Sequence, residues 1–242
     1  MVSVASHYDN LLAEHYTWML GDFDARCAAT RQFFERHDLR GPGLAIDLGA
    51  GSGLQTLALA QQGYRVLALD SNARLLGELT QRTAGLPVTA VCADLLMFAE
   101  HCQQPPDLLT CMGDTLTHLE SAEHARQLIA DAFAALRPGG ALVLGFRDLS
   151  QELTGTDRIV PVRATQDRIM TCFLEYLPDR VMVHDVVQVR AGPEHDWTMN
   201  KSCYAKLRLA AAQVEQWLTD AGFALSHAAR HAGLTELMAR KT

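Results

Sequence analysis

Three glycines stand at alternate positions in the stretch AIDLGAGSGLQ, behind an aspartate. Gly49, Gly51 and Gly53 follow a short apolar run, and a helical pattern begins directly after them. A strand that turns into a helix through glycines exposes backbone N–H groups at the helix N-terminus, where a small polar ligand can approach the main chain closely. A glycine triplet can also be a plain tight turn, so the neighbouring residues must decide between a binding loop and a turn.

Two carboxylates follow the glycines at the ends of later apolar runs. Asp70 closes the second predicted strand, 21 residues after Gly49, where a carboxylate can accept both hydroxyls of a ribose. Asp94 ends the third predicted strand in VCADLL. The dinucleotide pattern G-x-G-x-x-G would have its third glycine one residue later than Gly53. This order favours a cofactor with a ribose and disfavours a nicotinamide dinucleotide.

The segments that must position these residues alternate short apolar runs with helical patterns. Such alternation indicates βαβ units, and hence an α/β fold with a parallel sheet and helices on both faces. The expected strands are 44–48, 65–69, 88–92, 107–112 and 141–146, and the expected helices are 54–62, 72–83 and 121–136. Before them, helical spacing over residues 7–37 predicts two helices broken at Gly21.

After the fifth strand the hydrophobic period changes. In RVMVHDVVQVR (180–190), valines alternate with polar residues, which is typical of an antiparallel strand with one solvated face. The sequence therefore predicts a small antiparallel β insertion over about 155–208. Its strands are 168–176, 180–190 and 197–208, and a helix (211–221) and a hairpin (223–229 and 233–239) follow it.

Composition sets the outer limits. With 242 residues, 48% of them hydrophobic and 20% charged, the chain is an ordinary globular protein, and one domain is expected. Its parts would be N-terminal lid helices (1–40), a cofactor-binding core (41–150), the inserted layer (151–209) and a C-terminal helix and β-hairpin (210–242). The net charge of −7 and the absence of a basic cluster argue against a nucleic-acid partner.

No segment approaches the roughly 20 apolar residues that span a bilayer, and the N-terminal residues lack the pattern of a signal peptide. We therefore expect a cytoplasmic protein without a membrane partner. The six cysteines are scattered without a C-x-x-C pair, so neither disulfides nor a zinc site is predicted. His118 and His124 have no metal-binding spacing, and no metal is expected.

The series D-x-G-x-G-x-G, a strand-ending acidic residue and Asp-Leu resembles that of the class I S-adenosylmethionine-dependent methyltransferases. The resemblance covers about residues 43–146, including LRPGGALVL (136–144) before the fifth strand. It implies a Rossmann-like, seven-stranded, mostly parallel sheet whose last strand is antiparallel. It also implies S-adenosyl-L-methionine as cofactor and S-adenosyl-L-homocysteine as product, with the ribose on Asp70. The residues expected to bind the cofactor are Tyr16, Arg26, Asp47, Gly49, Ala50, Gly51, Gly53, Asp70, Ser71, Asp94, Leu95 and Met112.

Four further stretches are similar to the glycine N-methyltransferase type within that family. They are MLGDFDARCA (19–28), CMGDTLTHL (111–119), GFRDLS (145–150) and YAKLRL (204–209). By this resemblance Arg147 would hold a substrate carboxylate and Arg26 the carboxylate of the cofactor, while Asp114 and His118 would border the acceptor pocket. Asp114 stands where the family has asparagine, and a carboxylate there favours a cationic or N–H donor group over glycine.

The expected chemistry is modest. Aligning a nucleophile with the S–CH₃ bond can contribute about 7 to 11 kcal/mol, and an amine needs only a base such as His118 or Asp114. Tyr204 could add its hydroxyl. Each role has a structural alternative. His118 could cap the helix near Ser121, Arg147 could pair with Asp148 or Glu152, and Arg26 and Tyr204 could face water. Tyr8 and Tyr16 could be core residues.

We expect an enzyme that methylates a small metabolite, most simply at the nitrogen of an amine or nitrogen heterocycle. Oxygen methylation of a small carboxylate or hydroxyl secondary metabolite is the alternative, since one fold hosts many acceptors. A degenerate module that binds the cofactor without catalysis is a third reading. The expected partner is the small-molecule methyl acceptor, and a homo-oligomer is left open.

Overall fold

The computed structural model describes residues 3–231 and 233–242. The chain divides into two compact units. The antiparallel unit contains the residues up to Gly21 and Leu149–Arg208, and the parallel unit contains Asp22–Asp148 and Leu209–Thr242. The helices are α1 (Val4–His7), α2 (Ala13–Leu20), α3 (Phe23–Arg36), α4 (Leu54–Gln61), α5 (Ala73–Arg82), α6 (Ala122–Ala135) and α7 (Ala211–Asp220).

The strands follow the predicted order closely. They are β1 (Leu44–Leu48), β2 (Arg65–Asp70), β3 (Val88–Cys92), β4 (Leu108–Cys111), β5 (Ala141–Arg147), β6 (Ile159–Ala164), β7 (Arg168–Tyr176), β8 (Arg180–Val189), β9 (Thr198–Leu207), β10 (Phe223–His231) and β11 (Leu234–Lys241). Among the described residues, no helix combines the length and apolar character needed to cross a membrane.

The parallel unit is a seven-stranded sheet in the order β10-β11-β5-β4-β1-β2-β3. Strands β1 to β5 pair in parallel, whereas β11 runs antiparallel to both β5 and β10. Strand β4 is buried along its whole length, as expected of a central strand covered on both faces. The predicted α/β class and the antiparallel last strand are confirmed.

Local sequence explains where the helices of this unit begin. Asn72 and Ser121 cap α5 and α6 by accepting the backbone N–H groups of residues 75 and 124. Such caps satisfy donors that the first helical turn leaves without partners. The apolar faces then pack on the sheet, with Leu75 and Leu79 of α5 buried. The packed helices hold the strands of the sheet in place, and with them the loops that follow the strands.

The antiparallel unit is a four-stranded sheet in the order β6-β7-β8-β9. Strand β6 was not predicted, because Pro161 interrupts its sequence. An edge position tolerates proline, and the register shifts between Pro161 and Arg163. In the same unit, Leu11 and Leu12 of the N-terminal helical segment form a buried cluster with Met170 and Val187.

Candidate active site

The glycine loop between β1 and α4 has a backbone that requires glycine. Gly49, Gly51 and Gly53 have φ values of 70°, 53° and 94°, which side chains other than glycine rarely adopt. A Cβ at Gly49 would also collide with the side chain of Thr115. The loop is anchored to β2, because the N–H groups of Gly49 and Ala50 both donate to the carbonyl of Leu69 at 2.9 Å. The loop is therefore a rigid, narrow cradle.

Asp70 ends β2 beside this cradle. Its Oδ2 accepts the N–H of Gly51 at 2.8 Å, and its Oδ1 accepts the N–H of Asn72 at 2.8 Å. Burial raises the pKa of this carboxyl, and the backbone hydrogen bonds from Asn72 and Gly51 oppose that rise. A carboxylate has about four lone-pair sites. Asp70 thus holds the loop in place and keeps acceptor capacity for a ligand.

Asp47 lies beneath the loop and is 1% exposed. Thr56 donates its hydroxyl to Asp47 Oδ2 at 2.6 Å, and Thr110 donates its hydroxyl to Oδ1 at 2.8 Å. Burial raises the pKa of Asp47 to about 6, against the lowering effect of these hydrogen bonds. Asp47 is therefore an internal support that joins β1 to β4 and to the first turn of α4. The sequence patterns did not point to either threonine.

The loop is also held from α5. Arg82 Nη1 donates to the carbonyl of Ser52 at 3.0 Å, and its guanidinium carbon lies 4.5 Å from the ring centroid of Phe23. The Ser52 hydroxyl is buried and has no hydrogen-bond partner within the described chain. A buried hydroxyl without a partner is costly, so a polar ligand atom at this place would be favoured. The helical pattern of the sequence did not predict that Arg82 would hold the glycine loop.

The residues after β3, β4 and β5 lie at the same edge of the sheet as the glycine loop, since these strands are parallel neighbours. Asp94 is exposed and caps the short 3₁₀ helix Leu95–His101 by accepting the N–H of Leu96 at 2.9 Å. Leu95 is half-buried and Met112 is buried. Ser71, directly after β2, is exposed.

Asp114 and Arg147 come together at this edge. Asp114 is 7% exposed and has φ 82°, a strained conformation for a residue with a side chain that is often found at functional sites. Its Oδ1 accepts the backbone N–H of Arg147 at 2.9 Å and the Thr117 hydroxyl at 3.0 Å. Its Oδ2 lies 3.8 Å from Arg147 Nε, while the Arg147 side chain is 55% exposed.

The structure also tests the structural alternatives that the sequence offered for Arg147 and His118. Arg147 pairs with Asp114, whereas Asp148 accepts the N–H of Ala211 at 2.9 Å and Glu152 pairs with Arg208 at 2.8 Å. His118 ends the 3₁₀ helix Thr115–His118 and its Nε2 atom is buried. Helix α6 is capped by the Ser121 hydroxyl.

Comparisons with known proteins agree with this arrangement. Residues 45–140 match the family model described as a methyltransferase domain. Residues 45–140 are therefore a methyltransferase domain, as the resemblance to the class I S-adenosylmethionine-dependent methyltransferases implied. The predicted family is thus confirmed.

Two curated relatives share this domain. A glycine/sarcosine N-methyltransferase from Halorhodospira halochloris is 27% identical over 130 residues, 52% of this chain and 48% of that protein. A trans-aconitate 2-methyltransferase from Paracidovorax citrulli is 33% identical over 132 residues, 53% of this chain and 48% of that protein. The chain thus spans about half the length of these relatives.

A solved structure extends the likeness in fold to nearly the whole chain. The S-adenosylmethionine-bound amino pentose methyltransferase from Micromonospora echinaspora has a TM-score of 0.73 at 16% identity, covering 95% of this chain and 96% of that one. At this identity the likeness concerns the fold of the methyltransferase domain and of the inserted sheet.

Three predicted site residues belong to elements other than the segments that follow the strands of the parallel sheet. Arg26 is exposed on α3. Tyr16 belongs to the antiparallel unit, is half-buried and has its ring centroid 6.0 Å from that of Tyr8. Tyr204, in the same unit, is 4% exposed and stacks on His7 at 4.2 Å between centroids. The water-facing alternative for Tyr204 is therefore wrong, whereas the packed alternative for Tyr16 agrees with its contacts.

Proposed function

We propose that this protein binds S-adenosyl-L-methionine and methylates the nitrogen of a small amine or nitrogen heterocycle. The observation that carries the proposal is the common edge of the parallel sheet, where the glycine loop, Asp70 and the Asp114–Arg147 pair follow neighbouring strands. The glycine/sarcosine N-methyltransferase among the relatives supports nitrogen as the acceptor atom. The acidic chain, with a net charge of −7, supports a small acceptor over nucleic acid.

The residues present suit this cofactor. The glycine loop has the positive φ values of a tight strand-to-helix turn, and it lies directly beside the Asp70 carboxylate, whose Oδ2 accepts the N–H of Gly51. Asp70 would accept ribose hydroxyls, and the buried Ser52 hydroxyl would gain a partner. Bound there, S-adenosylmethionine supplies an electrophilic methyl group on a positively charged sulfur. The roles of Tyr16, Arg26, Ser71, Asp94, Leu95 and Met112 toward this cofactor remain part of the proposal.

On the acceptor side, Arg147 would bind a carboxylate or ring carbonyl through its planar fork of donors. Asp114 uses Oδ1 to accept the Arg147 N–H and the Thr117 hydroxyl, so its main role would be to orient Arg147. His118 would then take the proton of the amine, because the nitrogen must be neutral to attack. Tyr204 is proposed only as an accessory group.

Oxygen methylation is the second candidate. The trans-aconitate 2-methyltransferase among the relatives and the exposed guanidinium of Arg147 favour a carboxylate acceptor. A carboxylate is already ionised at neutral pH and needs no base. Replacing His118 with Gln should therefore reduce nitrogen methylation strongly and leave oxygen methylation nearly unchanged, which separates the two candidates once a product is identified by mass spectrometry.

The main test is Arg147→Ala. We expect about 100-fold or greater loss of kcat/KM for the best acceptor of a metabolite panel, because a charged contact that positions the substrate is lost. The Kd for S-adenosylhomocysteine, measured by calorimetry, should change less than about twofold. Arg137→Ala is the matched control. Arg137 is similarly exposed, at 52%, and also pairs with a carboxylate, Asp107, and its loss should leave kcat/KM nearly unchanged.

Gly49→Ala provides the opposite control, since its Cβ would collide with Thr115, displace the glycine loop and abolish cofactor binding; circular dichroism checks that this variant folds. If Arg147→Ala loses cofactor binding along with turnover, the residue supports the fold and the acceptor role is wrong. If the unmodified protein binds NAD and does not bind S-adenosylhomocysteine, the proposed function as a whole is wrong.

A further inference from the structure

Two arginines of the antiparallel unit lie against one tryptophan. The guanidinium carbons of Arg163 and Arg168 lie 5.5 Å and 5.1 Å from the ring centroid of Trp18. Arg163 is on β6 and Arg168 begins β7, while Trp18 is near the end of α2. Residue 163 pairs with Met170 across the two strands, and Met170 is buried. The two arginines therefore share the face of the sheet that the apolar cluster covers.

The positive charges in this cluster are only partly compensated. Neither guanidinium has a carboxylate within 4 Å in the described part of the chain. Arg163 Nη1 donates to the carbonyl of Trp18 at 2.6 Å, and a helix C-terminus carries a partial charge of about −0.5. Asp167, next to Arg168, is exposed, accepts the hydroxyl of Thr165 at 2.8 Å, and interacts electrostatically with both Arg168 and Arg190. The two guanidinium charges are thus compensated only by a helix C-terminus and by one solvated carboxylate that Arg190 shares.

Two buried hydrogen-bond donors of this cluster also lack an acceptor in the described part of the chain. Arg168 Nε and the indole Nε1 of Trp18 are both buried, and neither has a hydrogen-bond partner among residues 3–231 and 233–242. A buried donor without an acceptor destabilises the folded protein, and more so when the donor is charged. A group that offers several acceptor oxygens and a negative charge would satisfy both donors and the guanidinium charges together.

The same unit contains a matched pair for comparison. Arg190 lies over Trp197, with its guanidinium carbon 4.6 Å from the ring centroid. Its Nε donates to the carbonyl of Gln166 at 2.8 Å and its Nη1 to the carbonyl of Pro193 at 3.4 Å. Stacking of arginine on tryptophan therefore does not by itself leave the guanidinium Nε without an acceptor.

We propose that Trp18, Arg163 and Arg168 form a binding site for a small oxyanion, with the shared chemistry of a carboxylate or a phosphate. The planar guanidinium groups match the geometry of such anions, and the half-buried setting lowers the competition from water. This anion site uses only residues of the antiparallel unit, and it does not rest on the proposed methyl transfer.

The test measures the thermal midpoint, Tm, of the full chain in increasing inorganic phosphate, or in increasing succinate, at constant ionic strength. S-adenosylhomocysteine is present in one series and absent in a second. We expect a saturable rise in Tm in both series, because a ligand that binds only the folded protein stabilises it. The stronger of the two ligands identifies phosphate or carboxylate as the preferred group.

Arg168→Met should weaken the apparent affinity for that ligand about tenfold or more, because it removes a charge-assisted hydrogen bond. Arg168→Lys keeps the positive charge but loses the planar set of guanidinium donors. It should retain part of the affinity for the anion. Arg190→Met is the control and should bind as the unmodified protein does.

Three results would overturn the anion site. They are no saturable rise in Tm with either anion, an equal rise in the unmodified protein and in Arg168→Met, or an equal loss in Arg168→Met and Arg190→Met. If Arg168→Met does not fold, Arg163→Met under the same conditions decides the question.

Discussion

Two buried aspartates, one in each compact unit, are stabilised in different ways. Asp47 and Asp185 are both 1% exposed. Asp47 accepts hydroxyl groups from Thr56 and Thr110. Asp185 instead has His7 Nε2 at 3.0 Å from its Oδ2 and the thiol of Cys172 at 2.7 Å from its Oδ1. In the parallel unit, two neutral hydroxyl groups donate hydrogen bonds to the buried carboxylate. In the antiparallel unit, the partners are the His7 imidazole, which can be charged, and the Cys172 thiol, which is a weak donor.

The comparison teaches how far the partners of a buried charge can lie along the chain. Thr56 is nine residues from Asp47, at the start of the helix that its own strand feeds. His7 is 178 residues from Asp185. The contact between Thr56 and Asp47 follows from a local turn. The contact between His7 and Asp185 requires the N-terminal helical segment to pack against β8.

The largest effect is expected for His7→Ala. Asp185 would stay buried without its main partner, and the ring that stacks on Tyr204 would be lost, so we expect a loss of about 3–5 kcal/mol in the free energy of unfolding. Urea unfolding at neutral pH measures it. The double variant His7→Leu with Asp185→Leu should recover part of the loss, because no charge stays buried. A loss below about 1 kcal/mol would mean that other groups stabilise Asp185.

A pH-dependent effect on the order of 2–3 kcal/mol is expected for Asp47→Asn. The pKa of Asp47 rises from 3.8 to about 6 on folding because the carboxyl is buried, and each unit corresponds to about 1.4 kcal/mol. The protonated carboxyl therefore favours the folded protein, and this contribution is full below the unfolded pKa and is lost as the pH rises through about 6. The stability of Asp47→Asn relative to the unmodified protein should increase between pH 4 and pH 7.

Urea unfolding of both proteins at several pH values checks this expectation. Asp179→Asn is the control with the opposite sign, since the hydrogen bond from Arg180 lowers the pKa of the exposed Asp179 carboxyl. Parallel pH profiles for Asp47→Asn and the unmodified protein would show that Asp47 is ionised in the folded state at low cost.

The smallest effect is expected for Cys172→Ala. A thiol is a weak donor, so its removal from Asp185 should cost less than about 1 kcal/mol. Thr110→Val removes the corresponding hydroxyl from Asp47 and should cost about 1–3 kcal/mol. Equal losses in the two variants, measured by urea unfolding, would remove the distinction between the two aspartates.

Much of the fold was predictable because its signals are local. Alternating apolar runs and helical patterns located the first five strands and the helices between them, and glycine spacing located the loop after β1. Strand β6 was missed because Pro161 interrupts its pattern and only its edge position makes the proline acceptable. Strand β8 was found because valines alternate with polar residues along it, and β7 and β9 were found because their sequences resemble it.

The sequence by itself determined the glycine loop, the carboxylate at the end of β2 and the α/β alternation, since each depends on residues close together in the chain. Only the tertiary structure decided that Asp47 supports the loop from beneath, that Asp114 pairs with Arg147, and that two arginines meet Trp18. These contacts join segments far apart in sequence, and the register of packed elements selects them. A local sequence pattern cannot predict which side chain from a distant segment will contact a given buried residue.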